Sequence, residues 1–212
     1  MNQGQMCTAC SRLLLHENIY DEFLQRLVDK TVSLTIGAAH DATTDFGPVI
    51  SKEHRDSILS SIEEAKKKGA TVRCGGQALL GEGFYIEPTI LEGVSNSDDI
   101  AQQEVFGPVL CVMKIKHEEE ALRMANDSSY GLAATIWSQN IEKAKRLASQ
   151  LDVGTVWINT YGGFYNEASF GGYKESGFGR ELGREGLLEF TRSKHVCTDQ
   201  TPGGMPLVAS WF

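Results

Sequence analysis

The sequence predicts an α/β fold with a mostly parallel sheet flanked by helices. Two observations carry this. Short apolar runs at 109–115, 133–137 and 155–158 alternate with helical stretches at 118–127 and from Asn140 onward. Strand, helix, strand, helix, strand with short joins implies parallel pairing through right-handed crossovers. The N-terminal half adds two amphipathic helices, and no internal repeat or low-complexity segment interrupts the pattern.

Taken in order, residues 11–15 form a first strand. Tyr20, Phe23, Leu24, Leu27 and Val28 then fall on one helical face, with Asn18 as the expected cap and Asp21 and Glu22 at the positive end. Residues 46–49 form a loop. Ser51 caps a second helix to about Lys68, with Ile58, Ile62 and Ala65 inward and Gly69 just past its end. Residues 71–74 form a strand that stops at Gly75-Gly76. Residues 85–91 are extended, and Pro88 places them at a sheet edge. Residues 118–127 turn Ala121, Met124 and Ala125 to one side. The helix capped by Asn140 turns Ile141, Ala144, Ala148 and Leu151 inward. Residues 159–183 hold seven glycines in a long loop after a strand end, where α/β proteins build sites. Residues 187–190 close a short helix, and 191–197 form a last strand.

The chain of 212 residues carries 20 Lys plus Arg against 28 Asp plus Glu, a formal charge of -8. Lys66-Lys67-Lys68 is the longest cationic run, so nucleic acid is not the expected partner. No stretch approaches the roughly 18 apolar residues of a membrane span, and MNQGQMCTACSR lacks the apolar core of a signal peptide. An odd count of five cysteines with no export signal fits reduced thiols and a cytoplasmic location.

Cys7 and Cys10 form a C-x-x-C pair with four readings: redox couple, half a zinc site, one lone nucleophile, or structural thiols. The singles Cys74, Cys111 and Cys197 supply no second ligand pair, and the five histidines are scattered, so no metal is expected. Gly177-Phe178-Gly179-Arg180-Glu181-Leu182-Gly183 is one residue too long for a dinucleotide loop and reads as a tight entry to a helix. Glu104, just before a buried strand, is by position alone a surface carboxylate.

Asn2-Gln3-Gly4-Gln5-Met6-Cys7-Thr8-Ala9 with Arg12 forms one motif and Gln103-Glu104-Val105-Phe106-Gly107-Pro108-Val109 a second. Tyr130-Gly131-Leu132-Ala133-Ala134 is a third, and Asn159 through Phe170-Gly171-Gly172-Tyr173-Lys174-Glu175-Ser176-Gly177 to Gly183 a fourth. In order and spacing, from about residue 2 to 197, the set resembles the C-terminal catalytic portion of the NAD(P)-dependent aldehyde dehydrogenase superfamily.

The resemblance implies oxidation of an aldehyde to an acid with NAD or NADP. It implies Cys7 as nucleophile, with its backbone N–H as one oxyanion donor. Glu104 binds the nicotinamide ribose, Phe106 packs beside the nicotinamide, and Phe164 and Phe170 line the aldehyde entrance. Glu181 passes protons from the site. It further implies a catalytic domain over 1–190, incomplete at its start, and an oligomerisation strand and tail over 191–212 that make the chain a homo-oligomer. The cofactor domain, the water-activating glutamate and the asparagine that completes the oxyanion hole fall upstream of residue 1 in such proteins. The chain alone is therefore expected to be inactive. The alternative expectation is a folded remnant, or a split-gene subunit acting only through association.

Overall fold

β1 (Arg12–His16) runs directly into α1 (Glu17–Val32) in the computed structural model, which describes residues 1–200, 202 and 203. His16, not Asn18, caps this helix: its Nδ1 accepts from the Asn18 N–H at 3.2 Å. The ring nitrogen satisfies one of the orphan N–H groups of the first turn, so the helix starts upstream of Asn18. Tyr20 and Leu24 are buried, while Phe23, at the flank of that stripe, stays 44% exposed. α2 (Lys52–Lys67) starts as expected at Ser51, whose Oγ accepts from the His54 N–H, and it buries Ile58, Ile62 and Ala65.

The chain continues through β2 (Thr71–Cys74), β3 (Thr89–Glu92), α3 (Asp99–Gln102) and β4 (Val109–Ile115). A four-stranded sheet has the order β1-β4-β3-β2, with β1, β4 and β3 parallel and β2 antiparallel at one edge. β4 is central and covered on both faces, which is why it is almost continuously apolar. Its side chains alternate between two packed clusters. Cys111 and Met113 join Ile58, Ile62 and Leu91 on the α2 side, and Val112 joins Leu15, Tyr20, Leu24 and Ile90 on the α1 side.

Then follow α4 (Glu118–Asn126), β5 (Tyr130–Gly131), β6 (Ala133–Ile136), α5 (Ile141–Ala148), β7 (Thr155–Ile158), β8 (Tyr173–Lys174) and α6 (Gly183–Leu188). Asn140 caps α5 as expected, accepting from the Lys143 N–H at 2.9 Å.

Five further details differ from the sequence reading. β3 is an interior strand, not an edge. Pro88 precedes its first ladder residue, so the missing N–H removes no ladder bond. β6 and β7 pair in parallel, but as a separate two-stranded sheet rather than a continuation of β4. Tyr130 and Gly131, between α4 and β6, pair instead with β8. The last helix starts at Gly183 and ends at Leu188, earlier than 187–190. Residues 191–197 form no strand and lie exposed, and they pair with no strand among the described residues. Residues 201 and 204–212 of the expected tail lie outside the described residues.

Burial pushes the Cys111 thiol up from its usual 9.0 to about 12. Tyr20 rises from 10.0 to about 12, through burial first and the hydrogen bond to Glu92 second. Both groups hold their proton more tightly folded than unfolded. The stability this provides is complete below about pH 9 and is lost as pH rises toward 12. Urea midpoints are expected to fall over that window, and more gently in Cys111→Ala, measured against the wild-type slope.

Candidate active site

Cys7 sits in a turn closed by the Ala9 N–H donating to the Met6 carbonyl at 2.8 Å. Cys7 is exposed, while the next residue, Thr8, is buried. The approach to the turn is sharply bent. Asn2, Gln3 and Gly4 have φ of 47°, 54° and 72°. The Asn2 side-chain amide donates to the Gln5 carbonyl, and Gln5 Oε1 accepts from the Ile50 N–H, both at 2.8 Å. These bonds pin the turn to the segment that leads into α2.

The second motif lies directly against the first. A Cβ added to Gly4 would stand 2.1 Å from the Gly107 carbonyl oxygen, so only glycine permits this approach. Beside it, Phe106 holds φ of 52° with its ring 40% exposed. His54 Nε2 donates to the Phe106 carbonyl at 2.8 Å, fixing the strained peptide. Glu104 is exposed and makes no hydrogen bond or ion pair with the described residues.

The fourth motif closes the other side. The Tyr161 hydroxyl donates to the Thr8 carbonyl at 3.1 Å and lies 3.3 Å from Thr8 Oγ1. Its ring stands edge-on to Trp157, with centroids 5.4 Å apart. Trp157 is buried, and its Nε1–H donates to the Gly163 carbonyl at 2.9 Å. From Trp157 the aromatic contacts continue through Phe164 at 5.6 Å to Phe170 a further 5.1 Å on. Phe170 and Glu181 exchange two backbone hydrogen bonds of 2.7 Å, which places the Glu181 backbone beside that wall. The Glu181 side chain is exposed.

These bonds set the site between two sheets. Cys7 and Phe106 lie just before the starts of β1 and β4, whereas Tyr161, Phe164 and Phe170 follow the end of β7. The glycine-rich loop is thus where the sequence places it, but its partners come from the opposite strand ends. A cleft of about 520 Å³ lined by Tyr20, Glu92, Lys114 and Glu120 lies toward the C-terminal ends of β1, β3 and β4, away from Cys7.

The other cysteines separate from Cys7. Cys10 is exposed as a residue, but its thiol turns inward, donates to the Arg12 carbonyl at 3.4 Å and is pushed up by burial. Cys74 and Cys111 are pushed up for the same reason. Among the described residues, no group of three or more His, Cys, Asp or Glu is placed to hold a metal ion.

A sequence model of the aldehyde dehydrogenase family matches residues 1–196. The chain belongs to the aldehyde dehydrogenase family. It is 46% identical over 195 residues to retinaldehyde dehydrogenase 3 of Rattus norvegicus, covering 92% of this chain and 38% of that protein. It is 44% identical over 213 residues to betaine aldehyde dehydrogenase of Bacillus subtilis, covering 99% and 43%. The crystal structure of betaine aldehyde dehydrogenase from Staphylococcus aureus in complex with NAD+ superposes with a TM-score of 0.92 at 44% identity, covering 100% of this chain and 42% of that one. A point mutant of that protein was solved with NAD+ and a BME-modified cysteine. The chain therefore spans only about two fifths of the length of these aldehyde dehydrogenase relatives.

Two residues at the site, Tyr161 and His54, escape the sequence reading, and the contacts of a third, Arg12, do so as well. Tyr161 sits in a loop without periodicity, and nothing local links it to Thr8. His54 reads as one of several scattered histidines, although its place in the first turn of α2 aims it at the Phe106 carbonyl. Arg12 belongs to the first motif, but its role is visible only in space. Its guanidinium donates to Asn96 Oδ1 at 2.7 Å and to the Met124 and Ala125 carbonyls at 2.8 and 3.1 Å. It thereby ties the start of β1 to the end of α4, where a cation is favoured.

In the folded chain, iodoacetamide is expected to modify Cys7 and the exposed Cys197 first, with Cys10, Cys74 and Cys111 resisting until urea is added. Peptide mass mapping over a time course reads the order, and early loss of Cys10 or Cys111 would contradict it.

Proposed function

We propose that this chain provides the nucleophile and the nicotinamide-proximal part of an enzyme that oxidises an aldehyde to a carboxylic acid with NAD or NADP. One observation carries the proposal: an exposed thiol in a rigid turn stands between the Phe106 loop and an aromatic wall. The family and the names of its similar members support the same reaction class.

The Cys7 thiolate adds to the aldehyde carbon, and the Cys7 N–H stabilises the resulting oxyanion. The thiohemiacetal loses hydride and becomes a thioester on Cys7, which water opens to the acid and the free thiol. Sulfur suits both halves, because it attacks readily and leaves readily. Phe164 and Phe170 form the apolar entrance for the aldehyde, and Glu181 passes protons outward.

The residues present fit one end of a nicotinamide dinucleotide. Glu104 has lone pairs free for two ribose hydroxyls, and the half-exposed Phe106 ring offers a flat apolar face beside them. Bound there, the nicotinamide accepts the hydride. The adenosine end, the water-activating base and a second oxyanion donor fall to the part of the relatives that this chain does not span.

The test separates the half-reactions. With p-nitrophenyl acetate the purified chain is expected to release one p-nitrophenolate per molecule, and Cys7→Ala none. With short aldehydes and NAD or NADP it is expected to form no NADH or NADPH above the Cys7→Ala blank. Lost positioning, with roughly 7–11 kcal/mol of the barrier at stake, and a missing oxyanion donor, worth about 10²–10³ in rate, both oppose turnover. Absence of the ester burst overturns Cys7 as nucleophile, and steady Cys7-dependent turnover overturns the division of labour.

We further propose that residues 1–190 act as the catalytic unit and that 191–197 add as a strand to a neighbouring copy, since the segment lies exposed and outside any sheet, and open sheet edges invite pairing. Light scattering is expected to give a dimer or higher oligomer, and truncation after Phe190 a smaller species.

A further inference from the structure

We infer that Tyr161 is a positioning residue that orients the Cys7 backbone N–H through two linked peptide groups. The inference rests on the assignment of Cys7 as nucleophile. The connection runs through two hydrogen bonds and two peptide planes. The Tyr161 hydroxyl donates to the Thr8 carbonyl at 3.1 Å. That carbonyl shares its peptide plane with the Ala9 N–H, which donates to the Met6 carbonyl at 2.8 Å. The Met6 carbonyl shares its plane with the Cys7 N–H. The Cys7 N–H itself makes no hydrogen bond to the described residues, so the relay ends in a donor held beside an exposed thiol.

Each peptide is planar, so fixing its oxygen also fixes the direction of its N–H. Hydrogen bonds in series also polarise one another, which strengthens the terminal donor. The anchor at the far end is rigid. The Tyr161 ring packs edge-on against buried Trp157, and Trp157 is held by its own bond to the Gly163 carbonyl. Thr8 Oγ1, 3.3 Å from the hydroxyl, gives the tyrosine oxygen a donor of its own and completes the local ring of bonds. A loop distant in sequence thereby sets the angle of the donor adjacent to the nucleophile.

Tyr161→Phe keeps the ring and its packing and removes the first bond. Two reactions of Cys7 then separate orientation from general loosening. In acylation by p-nitrophenyl acetate, the thiolate forms an S–C bond to the acetyl carbon through a tetrahedral oxyanion, and p-nitrophenolate leaves with the electrons of the C–O bond. In alkylation by iodoacetamide the thiolate displaces iodide directly, and no oxyanion forms. The same thiolate attacks in both, so their ratio cancels its abundance. In the 212-residue chain, Tyr161→Phe is expected to slow acylation of Cys7 by about 5- to 20-fold, less than outright loss of an oxyanion donor. Alkylation of Cys7, followed by peptide mass mapping, is expected to change less than about twofold, because no oxyanion donor takes part in it. Equal changes in the two rates, or no change in either while wild-type Cys7 acylates, overturn the relay. Wild-type Cys7 that alkylates but does not acylate overturns the proposed function itself, and the relay's catalytic role with it.

Discussion

The contact between Gly4 and Gly107 is the constraint on which the site depends. Two backbones approach so closely that a single added carbon would overlap the Gly107 carbonyl. That contact sets the Cys7 turn against the loop that carries Phe106 and Glu104, although about a hundred residues separate them in the chain. Its neighbours reinforce it. Ile58 packs where a Gly107 side chain would otherwise stand, and His54, one helical turn earlier in α2, holds the Phe106 carbonyl. α2 therefore does more than cover the sheet: its buried face supports the second motif from behind, and its first turn fixes the peptide that presents Phe106.

The rest of the arrangement follows from strand ends. β1 and β4 are parallel neighbours, so the segments that precede them emerge at one end of the sheet and lie side by side. β7 supplies the third segment from its own end, and Asn159 locks that departure by exchanging two hydrogen bonds of 2.8 Å with the Ser138 backbone. Ligand sites in open α/β sheets usually gather at the carboxyl ends of strands. Here one sheet contributes starts and the other an end, and the turn at Cys7 bridges them through Thr8 and Tyr161.

The fold class was legible because its signals are local. The buried run at Val109–Ile115, the Ser51 and Asn140 caps and the helical spacing of Ile58, Ile62 and Ala65 each report their own surroundings. The errors arose where a local signal has two outcomes. Pro88 marks a place without an N–H donor, which an edge strand and a strand start satisfy equally. The alternation from β4 to β7 implies parallel pairing but not membership of one sheet, and β8, distant in sequence, takes the residues before β6. Of the candidate site residues, Cys7, Glu104, Phe106, Phe164, Phe170 and Glu181 rest on motif resemblance. Tyr161 and His54 do not, because their partners are backbone carbonyls, and a carbonyl leaves no trace in residue identity.

Backbone strain has collected in the same places. Asn2, Gln3, Phe106, Asn159 and Leu182 all take positive φ, and all belong to the segments that build the site. Such residues cost about 1–3 kcal/mol each, less for asparagine, and persist only when their surroundings over-determine them. The compensation can be traced for most of them. Asn2 bonds the Gln5 carbonyl, Phe106 is held by His54, and Asn159 is clamped to Ser138. Leu182 lies between the paired backbones of Phe170 and Glu181 and the bond from the Gly183 N–H to the Asn166 carbonyl. Lys174, also at positive φ, donates through Nζ to the Asn126 and Ser128 carbonyls and so secures the β5–β8 ribbon behind the loop. Regular elements cannot present a thiol, a flat ring and an aromatic wall to one point from three separate strand ends. Irregular backbone can, and in this chain most of these bends are held by hydrogen bonds to neighbouring segments.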